Sequence, residues 1–222
     1  MKTIAAPLVP RKSPTQARSL ATVDAIQVAT IQVLTAEGLG RCTTTRVAER
    51  AGVSVGSLYQ YYPNRRCLLA AVLERHLVQV AEVVERACLA SHGETVVEMG
   101  RAIATSYLDA KLLEVETSTA LYAVLEEHGG AQLVRAFRAR MARTIAKMLS
   151  TASDRAFADT ETVAEVVLSA IGGPIRAVLE KSVSLKLRRN IREHVVCVAT
   201  SYLLGVSSRP AAPAPRGGKS KA

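Results

Sequence analysis

Residues 43–66, TTTRVAERAGVSVGSLYQYYPNRR, constrain this chain more than any other stretch. A short helix carries Val47, Ala48 and Ala51 on one face. Gly52 follows where the chain must reverse, a position that favours positive φ and so suits glycine. A second short helix opens at Ser54, whose hydroxyl can cap it by accepting from a free N–H. Val53 and Leu58 pin the two helices together, and Ala48 is small where they cross. Two short helices joined by a glycine turn form a helix-turn-helix, whose second helix fits the DNA major groove.

The charge distribution agrees with a polyanionic partner. The formal net charge is +10. Residues 1–70 hold nine Lys/Arg against three Asp/Glu, and residues 71–207 balance at sixteen each. Residues 208–222 add four basic residues and no acid. A basic excess confined to the ends of a neutral body places the polyanion at the ends.

Around the turn, helical periodicity accounts for most of the chain. Residues 1–15 contain three prolines and form a flexible basic arm. A first helix spans about 16–37 and stops at Gly38, and Thr43 or Thr44 caps the next. After Tyr59-Gln60-Tyr61-Tyr62, Pro63 ends the third helix and Asn64 caps a long fourth one. Further helices are expected over about 94–113, 116–128 and 131–150. The outer face of the last of these reads as solvated: Arg135, Arg138, Arg140, Arg143 and Lys147. Two strongly periodic helices close the body, one interrupted by Gly172-Gly173-Pro174, where a kink is expected. Residues 208–222 form a disordered basic tail. The fold class is all-α with about nine helices: a three-helix DNA-binding domain over 16–64 and a helical body over 65–207.

Cys42, Cys67, Cys88 and Cys197 have no zinc or redox spacing, which fits a reduced cytoplasmic protein without a metal or other cofactor. The longest stretch free of Lys, Arg, Asp and Glu is 194–208, too short for a membrane span. No Ser-His-Asp signature, HExxH or phosphate loop marks an enzyme. A helical scaffold, or a ligand-binding protein that never touches DNA, is the competing class, and the charge split speaks against it.

Thr43-Thr44-Thr45-Arg46-Val47-Ala48-Glu49-Arg50-Ala51-Gly52-Val53-Ser54, then Gly56-Ser57-Leu58-Tyr59, Tyr61-Tyr62-Pro63-Asn64-Arg65 and Leu68-Leu69, resemble the tetracycline-repressor (TetR) family of transcriptional regulators. The resemblance covers about residues 16–73. It implies a homodimer that binds a pseudo-palindromic operator and is released from it by a small-molecule effector. It also implies DNA-contacting roles along Thr43, Thr44, Thr45, Ser54, Val55, Gly56, Ser57, Tyr59, Gln60, Tyr61, Asn64 and Arg65. Of these, Thr45, Val55, Gly56, Ser57 and Gln60 would face the groove, and Tyr59, Tyr61 and Arg65 would reach phosphates. Val55 stands where many members have a polar residue, so reading there would be apolar, as against a thymine methyl. A pocket in the body is expected to draw on His76, Met99, Ile103, Tyr107, Leu121, Tyr122, Leu125, Phe137 and Met141. The dimer interface is expected on the last two helices, through Val163, Val167, Ile171, Ile175, Val195, Val198 and Tyr202.

Overall fold

In the computed structural model of the chain, residues 17–127 and 130–209 are described. The arm at 1–15 lies outside them, as does the tail beyond Arg209. Nine α-helices form among the described residues, with no strand. They are α1 (Ala17–Glu37), α2 (Thr44–Ala51), α3 (Val55–Tyr61), α4 (Arg65–Ala90), α5 (Val96–Leu112), α6 (Val115–Glu127), α7 (Ala131–Leu149), α8 (Thr160–Leu179) and α9 (Leu185–Val206). A 3-10 turn over Leu39–Arg41 follows Gly38, whose φ of 79° ends α1.

The helix ends are set by local chemistry. Thr43 caps α2, Asn64 caps α4 and Asp159 caps α8, each through a side-chain oxygen on a first-turn N–H. Thr95 and Glu98 form a reciprocal capping box on α5, so that helix begins at Val96 instead of near residue 94. Helix α8 runs on through Pro174 to Leu179.

Burial divides into two cores. The smaller gathers Ile26 and Val33 of α1, Val47 of α2, Leu58 of α3 and Leu68, Leu69 and Val72 of α4. The larger gathers Met99 and Ile103 of α5, Ile145 and Met148 of α7, Ile171 of α8 and Val195 of α9. Each large aliphatic side chain removed from water contributes about 1.5–3 kcal/mol. Helix α4 belongs to both: Leu77 lies in the small core and Val80, one turn on, in the large one. Helix α6 reaches across the same boundary, because its Leu121 and Val124 pack into the small core.

The apolar stripes of α8 and α9 are used internally. Val163, Val167, Ile171, Ile175 and Val195 are buried in the protomer's own core, against the expectation that they face a partner. Helices α5 and α7 pack over those stripes. Val198 and Tyr202 do reach the surface of α9, wholly or in part. Other outward residues of the pair are Val166, Gly173 and Val206. Ser208 exchanges backbone hydrogen bonds with Ala156, so the chain remains anchored where a disordered tail was expected to begin.

Two helical stretches, Ser19–Glu37 and Thr160–Leu179, are long and apolar enough to cross a membrane by length and composition alone. Both are packed into the fold, α1 against α2, α4 and α6, and α8 against α7 and α9.

Candidate nucleic-acid interface and internal cavity

Helices α2 and α3 meet through a turn with Gly52 at φ 67° in the left-handed region. The Gly52 and Val53 N–H groups donate back to carbonyls of α2, which fixes the reversal. Ser54 then caps α3 by accepting from the Ser57 N–H at 3.0 Å, and its hydroxyl lies 2.8 Å from that of Ser57. Leu58 is fully buried beneath α3, which turns the opposite face of the helix outward.

That outer face carries Gly56 and Gln60, both exposed, with Val55 and Ser57 at its edges. Thr43 and Thr45 are exposed beside it on α2. Tyr59 is 42% exposed, and its hydroxyl lies 3.2 Å from the Thr44 hydroxyl, which joins α3 to the start of α2. The Thr, Ser, Tyr and Gln side chains among them can donate or accept, and none of the residues is a carboxylate, which suits a phosphate-lined groove.

Three of the residues expected at DNA have partners within the domain. Tyr61 is only 9% exposed and packs in the small core, because a seven-residue helix needs its last turn to anchor it. The Asn64 side-chain Oδ1 accepts from the Cys67 N–H at 2.8 Å. Arg65 donates from Nε to the Cys42 carbonyl at 2.7 Å and from Nη2 to the Leu39 carbonyl at 2.5 Å. Its planar fork ties α4 to the connection before α2, a job that a carbonyl-rich turn presents and sequence spacing does not reveal. The neighbouring Tyr62 ring is buried, and its hydroxyl accepts from Gln27 Nε2 at 2.9 Å.

Inside the body lies a cavity of about 240 Å³. It is lined by Leu77 and Val80 of α4, Tyr107 and Lys111 of α5, and Tyr122 and Leu125 of α6. Val134, Phe137, Arg138 and Met141 of α7 and Gly172, Gly173 and Arg176 of α8 complete it. Of the expected lining residues, Tyr107, Tyr122, Leu125, Phe137 and Met141 are therefore present. Met99 and Ile103 are not, being fully buried in the large core, and Leu121 belongs to the small core. His76 is also elsewhere. It sits between α4 and α6, with Nε2 3.4 Å from Ser118 Oγ. Ser118 in turn donates to the Lys111 carbonyl at 2.9 Å. Burial, with Lys111 nearby, pushes the His76 imidazole down to about 4.

The polar part of the cavity was not expected from the sequence. Lys111 is 7% exposed, and burial lowers its ammonium to about 8. Its Nζ lies 5.4 Å from the centre of the Tyr122 ring, and the Arg176 guanidinium lies 5.2 Å from the same ring. Arg138 turns inward and donates to Ser169 at 2.6 Å, so the basic face of α7 is not wholly solvated. Arg140 of that face forms a two-pronged pair with Glu85 of α4, at 2.6 and 2.7 Å. The four-residue step from Tyr107 to Lys111 was the one available signal, since it places both on one helix face. Burial also raises the Tyr107 and Tyr122 phenols, which stay protonated. Among the described residues no cluster of His, Cys, Asp and Glu could hold a metal ion.

Residues 26–72 match the family model for bacterial regulatory proteins of the tetR family. Residues 95–203 match the model for a tetracyclin repressor-like C-terminal domain. No curated protein matches the chain. Among solved structures, a Mesorhizobium loti protein described as a TetR-family transcriptional regulator superposes with a TM-score of 0.67 at 16% identity, covering 87% of this chain and all of that one. SmeT, the repressor of the multidrug efflux pump SmeDEF of Stenotrophomonas maltophilia, gives 0.61 at 17% identity over 89% of this chain and 98% of its own. The fatty acid degradation regulator FadR of Bacillus halodurans gives 0.61 at 13% identity over 88% and 98%. At these identities the likeness is one of fold. With both family models matched in order, one on the helix-turn-helix and one on the body, this chain belongs to the TetR family of non-enzymatic, DNA-binding transcriptional regulators.

Proposed function

We propose that the protein is a homodimeric repressor that a small-molecule ligand releases from its operator. The supporting observation is the sharing of two helices between the DNA-binding unit and the cavity. Leu77 and Val80 of α4 and Tyr122 and Leu125 of α6 line the cavity, while Leu69, Val72, Leu121 and Val124 of the same helices pack in the small core. A ligand that fits the cavity better in one arrangement of α4 and α6 than in another shifts the population of α3 positions.

At DNA, Val55, Gly56, Ser57 and Gln60 with Thr45 meet base edges, and Thr43, Thr44 and Tyr59 meet phosphates. Two copies of α3 set about 34 Å apart read two half-sites one turn apart. The outward residues of α8 and α9, with Val166, Val198 and Val206 foremost, supply the partner surface. Repression is the role of SmeT, which shares this fold.

Genome-wide footprinting of the purified protein, followed by mobility shifts on the protected duplexes, tests this reading. It expects a pseudo-palindromic footprint overlapping promoter elements. Binding that lacks sequence preference at physiological salt contradicts it.

A further inference from the structure

We propose that the cavity takes an organic anion, an apolar body bearing a carboxylate, with Lys111 and Arg138 holding the acid group. This deepens the reading above and rests on the cavity being the effector site. Three cations converge on the cavity from three helices, and among the described residues no carboxylate lines it. Arg176 is already compensated, since its Nε donates to Glu180 at 2.5 Å. Arg138 bonds the neutral hydroxyl of Ser169, and Lys111 is held over the Tyr122 ring. Among the described residues, neither Lys111 nor Arg138 forms an ion pair.

Lys111 is buried without a counter-charge, and Arg138, half-buried, has a neutral hydroxyl as its partner, so neither cation is neutralised among the described residues. Burial lowers the Lys111 ammonium to about 8, so it keeps most of its charge at pH 7 and lacks a counter-ion. A carboxylate entering between them supplies the missing counter-charge, and the Arg138 fork can grip it through parallel N–H donors. A cationic ligand meets like charge there, and a neutral one leaves both charges as they were. Leu77, Val134 and Phe137 make an apolar part of the wall that accepts a hydrocarbon or aryl body.

Calorimetry on the full-length, DNA-free protein at pH 7 tests this with two matched sets. One is octanoate, octanol and octylammonium; the other is 2-naphthoate, 2-naphthol and 2-naphthylmethylammonium. In at least one set the carboxylate binds about tenfold or more tightly than its alcohol, and the ammonium is weakest. Lys111→Met and Arg138→Gln each remove most of that preference while leaving the alcohol's Kd within about twofold, which shows an intact cavity. Equal or tighter binding of an alcohol or ammonium, no binding by either carboxylate, or a preference that survives both substitutions overturns the proposal. Mobility shifts with the same compounds separate the two readings. A carboxylate that binds without changing DNA affinity refutes ligand release and leaves the anion preference standing. An alcohol or ammonium that binds better and frees the DNA does the reverse.

Discussion

Leu121 and Tyr122 are adjacent on α6 and serve opposite sides of one boundary. Leu121 is buried in the core of the DNA-binding unit, while the Tyr122 ring walls the cavity and lies beneath two cations. A displacement of α6 by a ligand against Tyr122 therefore moves a packing residue of the helix-turn-helix domain. Leu121→Ala is expected to cost about 2–5 kcal/mol through the cavity it leaves. Urea titration checks the cost. Calorimetry with the carboxylates is expected to show ligand binding largely kept, and mobility shifts a weakened response of DNA binding to ligand.

Arg65 separates a structural role from a DNA role. Its two bonds to the Cys42 and Leu39 carbonyls are charge-assisted. Arg65→Ala is expected to lower stability by about 2–3 kcal/mol, and Arg65→Lys, which lacks the fork, by nearly as much. Thermal unfolding without DNA is the check. An unchanged Tm in both variants would return Arg65 to the phosphates.

His76 gives the protein an acid-side weakness. Its folded form titrates near 4, below the ordinary 6.5, because burial and Lys111 disfavour the imidazolium. Between those values the unfolded chain binds the extra proton, so stability rises with pH across the window and is lost as pH falls from 6.5 towards 4. The full loss is on the order of 3 kcal/mol. Urea midpoints measured from pH 4 to 7 are expected to fall more steeply for the wild type than for His76→Gln.

Gly172 sits on the cavity wall in the middle of α8. A Cβ there would lie 3.8 Å from Arg138 Nη1 and 3.9 Å from the Tyr107 hydroxyl, which is ordinary contact. Gly172→Ala is therefore expected to stabilise the helix by up to about 1 kcal/mol. The same methyl narrows the cavity, so carboxylate affinity is expected to fall while Tm rises. A rise in both would show that Gly172 does not border the bound ligand.

The sequence was most legible where local chemistry decides the outcome. Gly52, Ser54, Pro63 and Asn64 fix turns and caps through their own backbone and side-chain preferences, and the first seven helices fell close to their expected bounds. Periodicity also showed that α8 and α9 have apolar stripes, but not what covers them. Val167 and Val195 face inward because α5 and α7 lie over them, a long-range fact invisible to spacing. The charged residues were the least legible. Arg138 read as a solvated surface cation and Arg65 as a DNA-facing one, and Lys111 gave no reading; a hydroxyl, backbone carbonyls and an aromatic ring from distant segments hold them. In the pocket, large apolar residues such as Met99 and Ile103 fill the core, and the cavity opens where Gly172 and Gly173 withhold side chains.

Gly56 allows the most direct measurement. It lies exposed in the first turn of α3, and a side chain added there would meet only Ser54 Oγ at 3.7 Å, so Gly56→Glu should fold as the parent does. Anisotropy titrations of both proteins on a footprint-selected duplex, at several salt concentrations, place a carboxylate where α3 is expected to enter the groove. The variant is expected to lose about a hundredfold or more in affinity, by repulsion and lost base contact, at an unchanged Tm. Affinity within about twofold of the parent, with the same salt slope, would mean that α3 does not face the DNA.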